Sequence, residues 1–159
     1  MVDKIDGATR SRNMAAIKSR NTTPELFIRS MLHKRGFRFR LHVKDLPGKP
    51  DIVLPKYHTV IFINGCFWHG HSNCRLYKLP STRVEFWQKK INRNQSNDAR
   101  AIELLLNSNW RVCVIWECKI RASRKDLTQL ADLISDFLKG TAKFLEVREN
   151  LDTIDKRNF

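Results

Sequence analysis

Three groups of residues in this sequence have the types and spacing to do chemistry. The first is a set of thiols and imidazoles. Cys66, His71 and Cys74 run as C-x4-H-x2-C, close enough for one loop to wrap one ion, and Cys118 follows the end of an expected strand. Three thiolates and an imidazole make a closed tetrahedral zinc site, structural in kind because no position is left open for substrate. The alternative is a set of unrelated core thiols, since cysteines in a reducing compartment are ligands or free rather than paired. Cys113 falls in mid-strand and reads as a small buried hydrophobe.

The second group is acid and base. Asp51 follows Pro50 at the mouth of a strand, where Asp is a poor fit. It is either a magnesium ligand, since that ion takes one or two carboxylates and keeps several waters, or an Asp that ends a turn. His69 lies between Trp68 and Gly70. With His71 on zinc, His69 is free to carry a proton near neutral pH; otherwise it is a competing zinc ligand. Trp87, Ile91, Asn94 and Asp98 are spaced to share one helix face. An aromatic, an amide and a carboxylate together do not make plain core. Asp98 either steadies a catalytic imidazole in its charged form or is an exposed helix carboxylate.

The third group is aromatic. Phe67-Trp68 lies in a loop and Phe86-Trp87 in the first turns of a basic helix. Aromatics beside basic charge stack on bases or wedge between base steps, at least cost beside a mismatch. Adjacent helix positions point about 100° apart, so Phe86 is assigned to the core and Trp87 to the face carrying Asn94 and Asp98. Trp110 and Trp116 flank an apolar strand and read as core.

The charge names the class of partner. The 159 residues carry 30 Lys+Arg against 16 Asp+Glu. Residues 1–50 hold 12 and 4, residues 51–100 hold 8 and 3, and the remainder 10 and 9. The first two thirds therefore face a polyanion, and nucleic acid rewards such a surface through counterion release. No basic amphipathic helix with an aromatic face supports a membrane surface instead. A hydrophobic fraction of 42% excludes a wholly disordered basic tail. Runs such as Val60–Ile63 fall far short of the roughly 20 residues that span a bilayer, and Met1–Asp6 has no signal-peptide core. The expected location is the cytoplasm.

The elements that position these groups follow from periodicity. Arg10–Arg20 reads as a short basic helix with Met14 and Ile17 on one side. Thr22-Thr23-Pro24-Glu25 starts a second helix, with Leu26, Phe27, Met31 and Leu32 inward and Gly36 as its stop. Phe37–His42 alternates apolar and basic, which predicts a half-buried strand. Lys44–Pro50 is a turn, Asp51–Leu54 a strand, and Thr59–Asn64 a central strand, apolar on both faces. Gly65–Ser81 is a loop. Thr82-Arg83-Val84-Glu85 fits a capping box that opens a helix to about Ser108. Trp110–Glu117 is a strand, and Lys143–Arg148 a last one. Between them Asp126–Lys139 is a helix with Leu127, Leu130, Leu133, Ile134 and Phe137 inward, ended by Gly140. The order predicts an α/β fold, a three-layer sandwich around a mixed β-sheet. It is read as a single domain over 1–159, with an N-terminal basic arm over 1–22 and a C-terminal tail over 149–159.

Pro50-Asp51, Asn64-Gly65-Cys66-Phe67-Trp68-His69, Phe86-Trp87 with Lys90-Ile91, Asn94-x3-Asp98 and Ile115-Trp116-Glu117-Cys118 closely resemble the very-short-patch repair (Vsr) DNA mismatch endonucleases of bacteria. Thr9-Arg10-Ser11-x-Asn13-Met14 is similar to that family's opening segment, and the likeness runs from about Thr9 to about Phe137. The resemblance implies a restriction-endonuclease-like fold with a zinc-bound loop, structural zinc and catalytic magnesium. It implies a nick on the 5′ side of the T in a T:G mispair left by deamination of 5-methylcytosine. Asp51 would hold magnesium with the backbone carbonyl of Ile63, and Glu25 would be an accessory acid near the ion's waters. His69 would be the general base or proton shuttle, held by Asp98. Cys66, His71, Cys74 and Cys118 would hold zinc. Phe67, Trp68 and Trp87 would form the wedge, with Lys90 beside them on DNA and Met14 approaching from the minor groove. Asn64 stands where some members carry His; Asn hydrogen-bonds a water but carries no proton at neutral pH.

The partners implied are double-stranded DNA with a T:G mispair, a cytosine-5 DNA methyltransferase and mismatch-repair factors, with the protein nucleoid-associated in a bacterium. An asymmetric mispair suits a monomer. Two rival readings are a zinc-stabilised DNA-binding protein that cuts nothing and a restriction endonuclease acting on matched duplex. The strand ending at Asn64 lacks the Glu-x-Lys that restriction-type nucleases usually place there, so fold kinship alone does not set the catalytic residues.

Overall fold

The computed structural model describes residues 6–149 and the backbone of 152–155. Residues 1–5 of the expected arm, and 150, 151 and 156–159 of the expected tail, lie outside the described residues. Helices α1 (Gly7–Ala16) and α2 (Thr23–Lys34) come first, then β1 (Ile52–Leu54), a 3-10 turn (Pro55–Tyr57) and β2 (Thr59–Asn64). Helix α3 (Val84–Asn107) leads to β3 (Arg111–Trp116), and α4 (Glu117–Ala122) and α5 (Thr128–Lys139) lead to β4 (Phe144–Val147) and β5 (Asp152–Asp155). The strands lie side by side in chain order. The outer pairs β1–β2 and β4–β5 are antiparallel, and β2–β3–β4 are parallel. The sheet is therefore mixed, as the sequence predicts.

Successive strand residues point to opposite faces, and both faces are covered. Ile61, Cys113 and Ile115 pack with Ile28 and Leu32 of α2, Ile120 of α4 and Leu130 and Ile134 of α5. Val60, Val112, Val114 and Trp116 face the other way and pack with Leu105 of α3. Each fully buried Ile, Leu or Val contributes about 1.5–3 kcal/mol, so this two-faced burial explains why β2 and β3 read as nearly continuous apolar runs. Arg111, at the start of β3, donates to the carbonyls of Phe137, Leu138 and Ala142. It places a cation at the negative end of α5. Helix α1 stands outside both layers, with no buried side chain. Among the described residues no helix is long and apolar enough to cross a membrane.

Several local expectations are corrected. The first helix is Gly7–Ala16 rather than Arg10–Arg20: Asp6 caps it by accepting from the Thr9 N–H (2.7 Å), and Ile17 is already extended. On α2, Ile28 and Glu25 are buried and Leu26 is 52% exposed. Ile28, Met31 and Leu32, three and four apart, form the inward stripe. Phe37–His42 alternates in burial but joins the sheet only through one bridge, Arg40 to Val53, and His42 turns left-handed at φ +57°. Helix α3 starts at Val84 with no side-chain cap, from Arg83 in left-handed backbone. Thr82 instead accepts a bond from Arg10 (3.3 Å). Phe86 is exposed rather than core, with the Arg83 guanidinium 4.3 Å over its ring. Helix α4 and strand β5 are additions to the predicted order, and β5 falls where a tail was expected.

Candidate functional site

Strands β2 and β3 run parallel and end in register, Asn64 opposite Trp116. The segments leaving them, Gly65-Cys66 and Glu117-Cys118, therefore start side by side. The carboxyl ends of parallel strands are where open α/β sheets place their sites, and two sites meet here.

The first is the thiol–imidazole cluster. The ligand atoms of Cys66, His71, Cys74 and Cys118 all lie within 4.8 Å of one another, and Cys118 Sγ is 3.6 Å from His71 Nδ1. A tetrahedral ion with bonds near 2.0–2.3 Å needs donors roughly 3.5–4 Å apart, so the four residues could hold one metal ion. Burial pushes the Cys66 and Cys118 thiols up and holds the His71 imidazole down. The imidazole is thus in the neutral form a ligand needs, and the thiols need a cation to ionise. The His71 ring stacks on Trp116 (4.1 Å, 10°), whose indole N–H donates to Glu146 (2.7 Å). Cys113 faces the opposite core and takes no part.

The second site is a cleft of about 530 Å³ that gathers Glu25, Asp51, Asn64, His69, Asp98 and Glu117. Asp51 enters it from the start of β1. Its N–H donates to Ile61 O (3.1 Å) and its Oδ2 accepts from the Ile63 N–H (2.7 Å). Burial pushes its pKa up from 3.8 to about 6; the Ile63 bond pulls it down, nearby Glu25 pushes it up, and His69 and Arg29 pull it down. Glu25 is 5% exposed. It accepts from the Asn21 N–H, the Thr22 hydroxyl and Arg29, and its own N–H donates to Thr22 Oγ1. The capping-box chemistry expected at Thr82 is thus found at Thr22.

His69 is set by a tight loop. Gly70 adopts φ +61°, and a Cβ there would lie 2.5 Å from both Ile91 Cγ2 and Gln95 Nε2. Helix α3 grips this loop with one face. Asn94 Nδ2 donates to Trp68 O (2.8 Å), Gln95 Nε2 to Gly70 O (2.9 Å), and Asp98 Oδ2 is 2.5 Å from His69 Nδ1. A carboxylate on Nδ1 holds the proton there and leaves Nε2 as the basic nitrogen.

Beside the cleft the rings of Phe67, Trp68 and Trp87 pack edge-to-face, with centroids 5.1–6.0 Å apart. The Lys90 ammonium lies 5.3 Å from the Trp68 ring and 5.6 Å from that of Trp87. Trp68 also lines the cleft, as do Ile63, Ile17 and Lys18. Met14 does not line it; it is 39% exposed on α1. Glu117 was missed in the sequence as a site residue. It lines the cleft, accepts from the Cys66 N–H (3.4 Å) and pairs with Arg121. Its signal was its place as the first residue beyond a parallel strand.

Carboxylates and an imidazole converging at strand ends, with a basic flank and half-buried rings alongside, define an α/β enzyme built to meet a polyanion. Comparison with known proteins makes the class specific. Residues 2–75 match the family model described as DNA mismatch endonuclease Vsr. The type II nicking enzyme V.XorIIP of Xanthomonas oryzae pv. oryzae is 47% identical over 120 residues, 76% of this chain and 88% of that protein. The DNA mismatch endonuclease Vsr of Escherichia coli is 47% identical over 125 residues, 79% of this chain and 80% of its own. The type II nicking enzyme V.NmeAIP of Neisseria meningitidis is 40% identical over 139 residues, 86% and 99% of the two chains. The chain belongs to the Vsr family of DNA mismatch endonucleases.

Proposed function

We propose that this protein nicks one strand of duplex DNA on the 5′ side of the T in a T:G mispair, the lesion left when 5-methylcytosine deaminates. The observation that carries the proposal is the meeting of Glu25, Asp51, His69 and Asp98, from α2, β1, the loop and α3, in one cleft beside an aromatic ridge. Relatives named as nicking enzymes support a single-strand cut. Kinship with the restriction-endonuclease fold is part of this reading, as are a monomer acting in the nucleoid, a partner cytosine-5 methyltransferase and mismatch-repair factors.

Asp51 and the Ile63 carbonyl would hold magnesium, with Glu25 directed at its waters. A half-buried carboxylate pushed up to about 6 beside a second carboxylate fits a site completed by a cation. When bound, the ion supplies charge stabilisation to the phosphate and the departing oxygen. His69 Nε2 takes the proton of the attacking water, and Asp98 stabilises the imidazolium that forms. Asn64 orients water without carrying a proton. Cys66, His71, Cys74 and Cys118 would hold zinc, which fastens the loop bearing His69 to the sheet. Phe67, Trp68 and Trp87 enter the stack beside the mispair, where unstacking costs least; Lys90 and Met14 contact the DNA around them.

The test is nicking with magnesium of two labelled duplexes, one carrying T:G and one fully paired. A cut confined to the T strand and lost with EDTA is expected. Retarded but uncut DNA would make the protein a binding module, and cutting of the paired duplex would make it a restriction enzyme.

A further inference from the structure

We propose that a second cavity, continuous with the acid–base cleft, is a binding subsite for a phosphodiester adjoining the scissile one on the cut strand. It rests on the nuclease reading above. The cavity is about 180 Å³ and is walled by Arg20, His42, Lys44 and Lys49. It shares Ser19, Glu25, Lys49 and Asp51 with the larger cleft, so the two form one trough passing the acids.

The cations of this trough differ in commitment. Arg29 is bonded to Glu25 (2.8 Å) and Asn21 (2.7 Å). The exposed side chains of Arg20, Lys44 and Lys49 have no hydrogen-bond or ion-pair partner among the described residues. Two carboxylates that present one phosphate to reaction repel the phosphates on either side of it. A set of uncommitted cations next to those carboxylates offsets that repulsion and draws the strand along the trough.

The backbone also holds this wall in place at a cost. His42 (φ +57°) and Lys49 (φ +51°) are both left-handed non-glycines, an unfavourable conformation that persists where surrounding structure enforces it. Gly48, at φ +72°, is pressed so close to α3 and β2 that a Cβ would lie 2.7 Å from Ala101 Cβ and 3.1 Å from the Phe62 ring. That packing fixes Lys49 two residues before Asp51. Where the end of β2 offers no lysine, Lys49 in the turn before β1 lines both cavities beside Asp51.

The experiment uses the full chain and T:G duplexes in which one phosphate at a time on the cut strand is replaced by an uncharged methylphosphonate. Binding is read in calcium. For the wild type, one position adjoining the scissile phosphate should weaken binding roughly tenfold or more. In a Lys44→Met/Lys49→Met variant that position should no longer matter, and the salt slope should fall by about one per cation removed. Both lysines are exposed, and methionine at 49 meets the same backbone demand as lysine, so equal thermal midpoints will certify folding. A methylphosphonate penalty undiminished in the variant, or an unchanged salt slope, overturns the subsite. A wild type that nicks no duplex yet shows the variant-dependent penalty would sink the nuclease reading and leave the trough as a phosphate-binding site without a scissile neighbour, which overturns the subsite as proposed; nicking with an undiminished penalty would overturn the subsite and keep the nuclease reading.

Discussion

His69 Nδ1 and Asp98 Oδ2 stand 2.5 Å apart, one on the loop after β2 and the other on α3. The pair is the direct link between the helix and the imidazole. Replacing Asp98 by Asn removes the negative charge that favours imidazolium and frees the tautomer. We expect single-turnover nicking to fall roughly 10²–10⁴-fold with DNA affinity nearly unchanged. Nicking at the wild-type rate would show that the pair has no part in the reaction.

Asp51 makes stability depend on pH. Its folded pKa of about 6 lies above the ordinary 3.8, so the folded chain keeps a proton that the unfolded chain has lost. The penalty is absent below about pH 4, grows between pH 4 and 6, and is complete above 6, at about 2–3 kcal/mol without a divalent cation. An Asp51→Asn protein still accepts from Ile63. It should unfold several degrees higher than wild type at pH 7.5, match it near pH 4, bind DNA and fail to nick. Identical melting curves at pH 7.5 would remove burial as the cause.

The proposed zinc site divides the four cysteines into three ligands and one packing residue. Cys118→Ser should fail to hold metal and lower the thermal midpoint, because the loop then loses closure by the ion and keeps its contacts with α3. Cys113→Ala should keep the metal and lose only packing energy, about 1 kcal/mol or more. Elemental analysis of the two purified proteins decides the matter; metal retained at full occupancy in Cys118→Ser would exclude that thiol from the site.

Gly70→Ala introduces a methyl 2.5 Å from atoms of Ile91 and Gln95 at a backbone angle of +61°. The loop must shift. A loss of about 1–3 kcal/mol is expected, with nicking reduced because His69 is the preceding residue. A variant of unaltered stability and rate would mean the loop has slack that its packing does not suggest.

Trp68→Ala removes the ring shared by the cleft and the aromatic ridge. Base–aromatic stacking is worth about 1–3 kcal/mol, so preference for T:G over paired DNA should drop roughly tenfold. Competition binding with both duplexes reads this directly, and an unchanged preference would refute the wedge.

The thiol–imidazole cluster was legible because soft donors are few and three of the four are local in sequence; Cys118 joins them through the register of β2 with β3. The His69–Asp98 pair was legible because Asp98 follows Asn94 by one helical turn. Glu25 was legible only through family likeness: taken alone, an acid at a helix start is a capping residue, and its burial beside Asp51 is tertiary. Glu117 reads as a strand end until the loop after β2 is laid against it. Phe86 was misplaced because a 100° step decides which of two neighbours differs, not which of them meets solvent. Alternation in Phe37–His42 gave burial correctly but could not supply a ladder partner, since pairing is a property of two segments.

Helix α3 holds the loop by main-chain oxygens, those of Trp68 and Gly70; position 70 must stay glycine, but the oxygen at 68 does not depend on the side chain there. Exchange of the side chains at positions 67 and 68 removes their ring contacts with Trp87 but leaves both main-chain bonds and the His69–Asp98 contact in place. If the proposed wedge and base are right, mismatch preference and bond-breaking can diverge, and a library randomised at those two positions should contain members that keep nicking activity while varying in the lesion they favour.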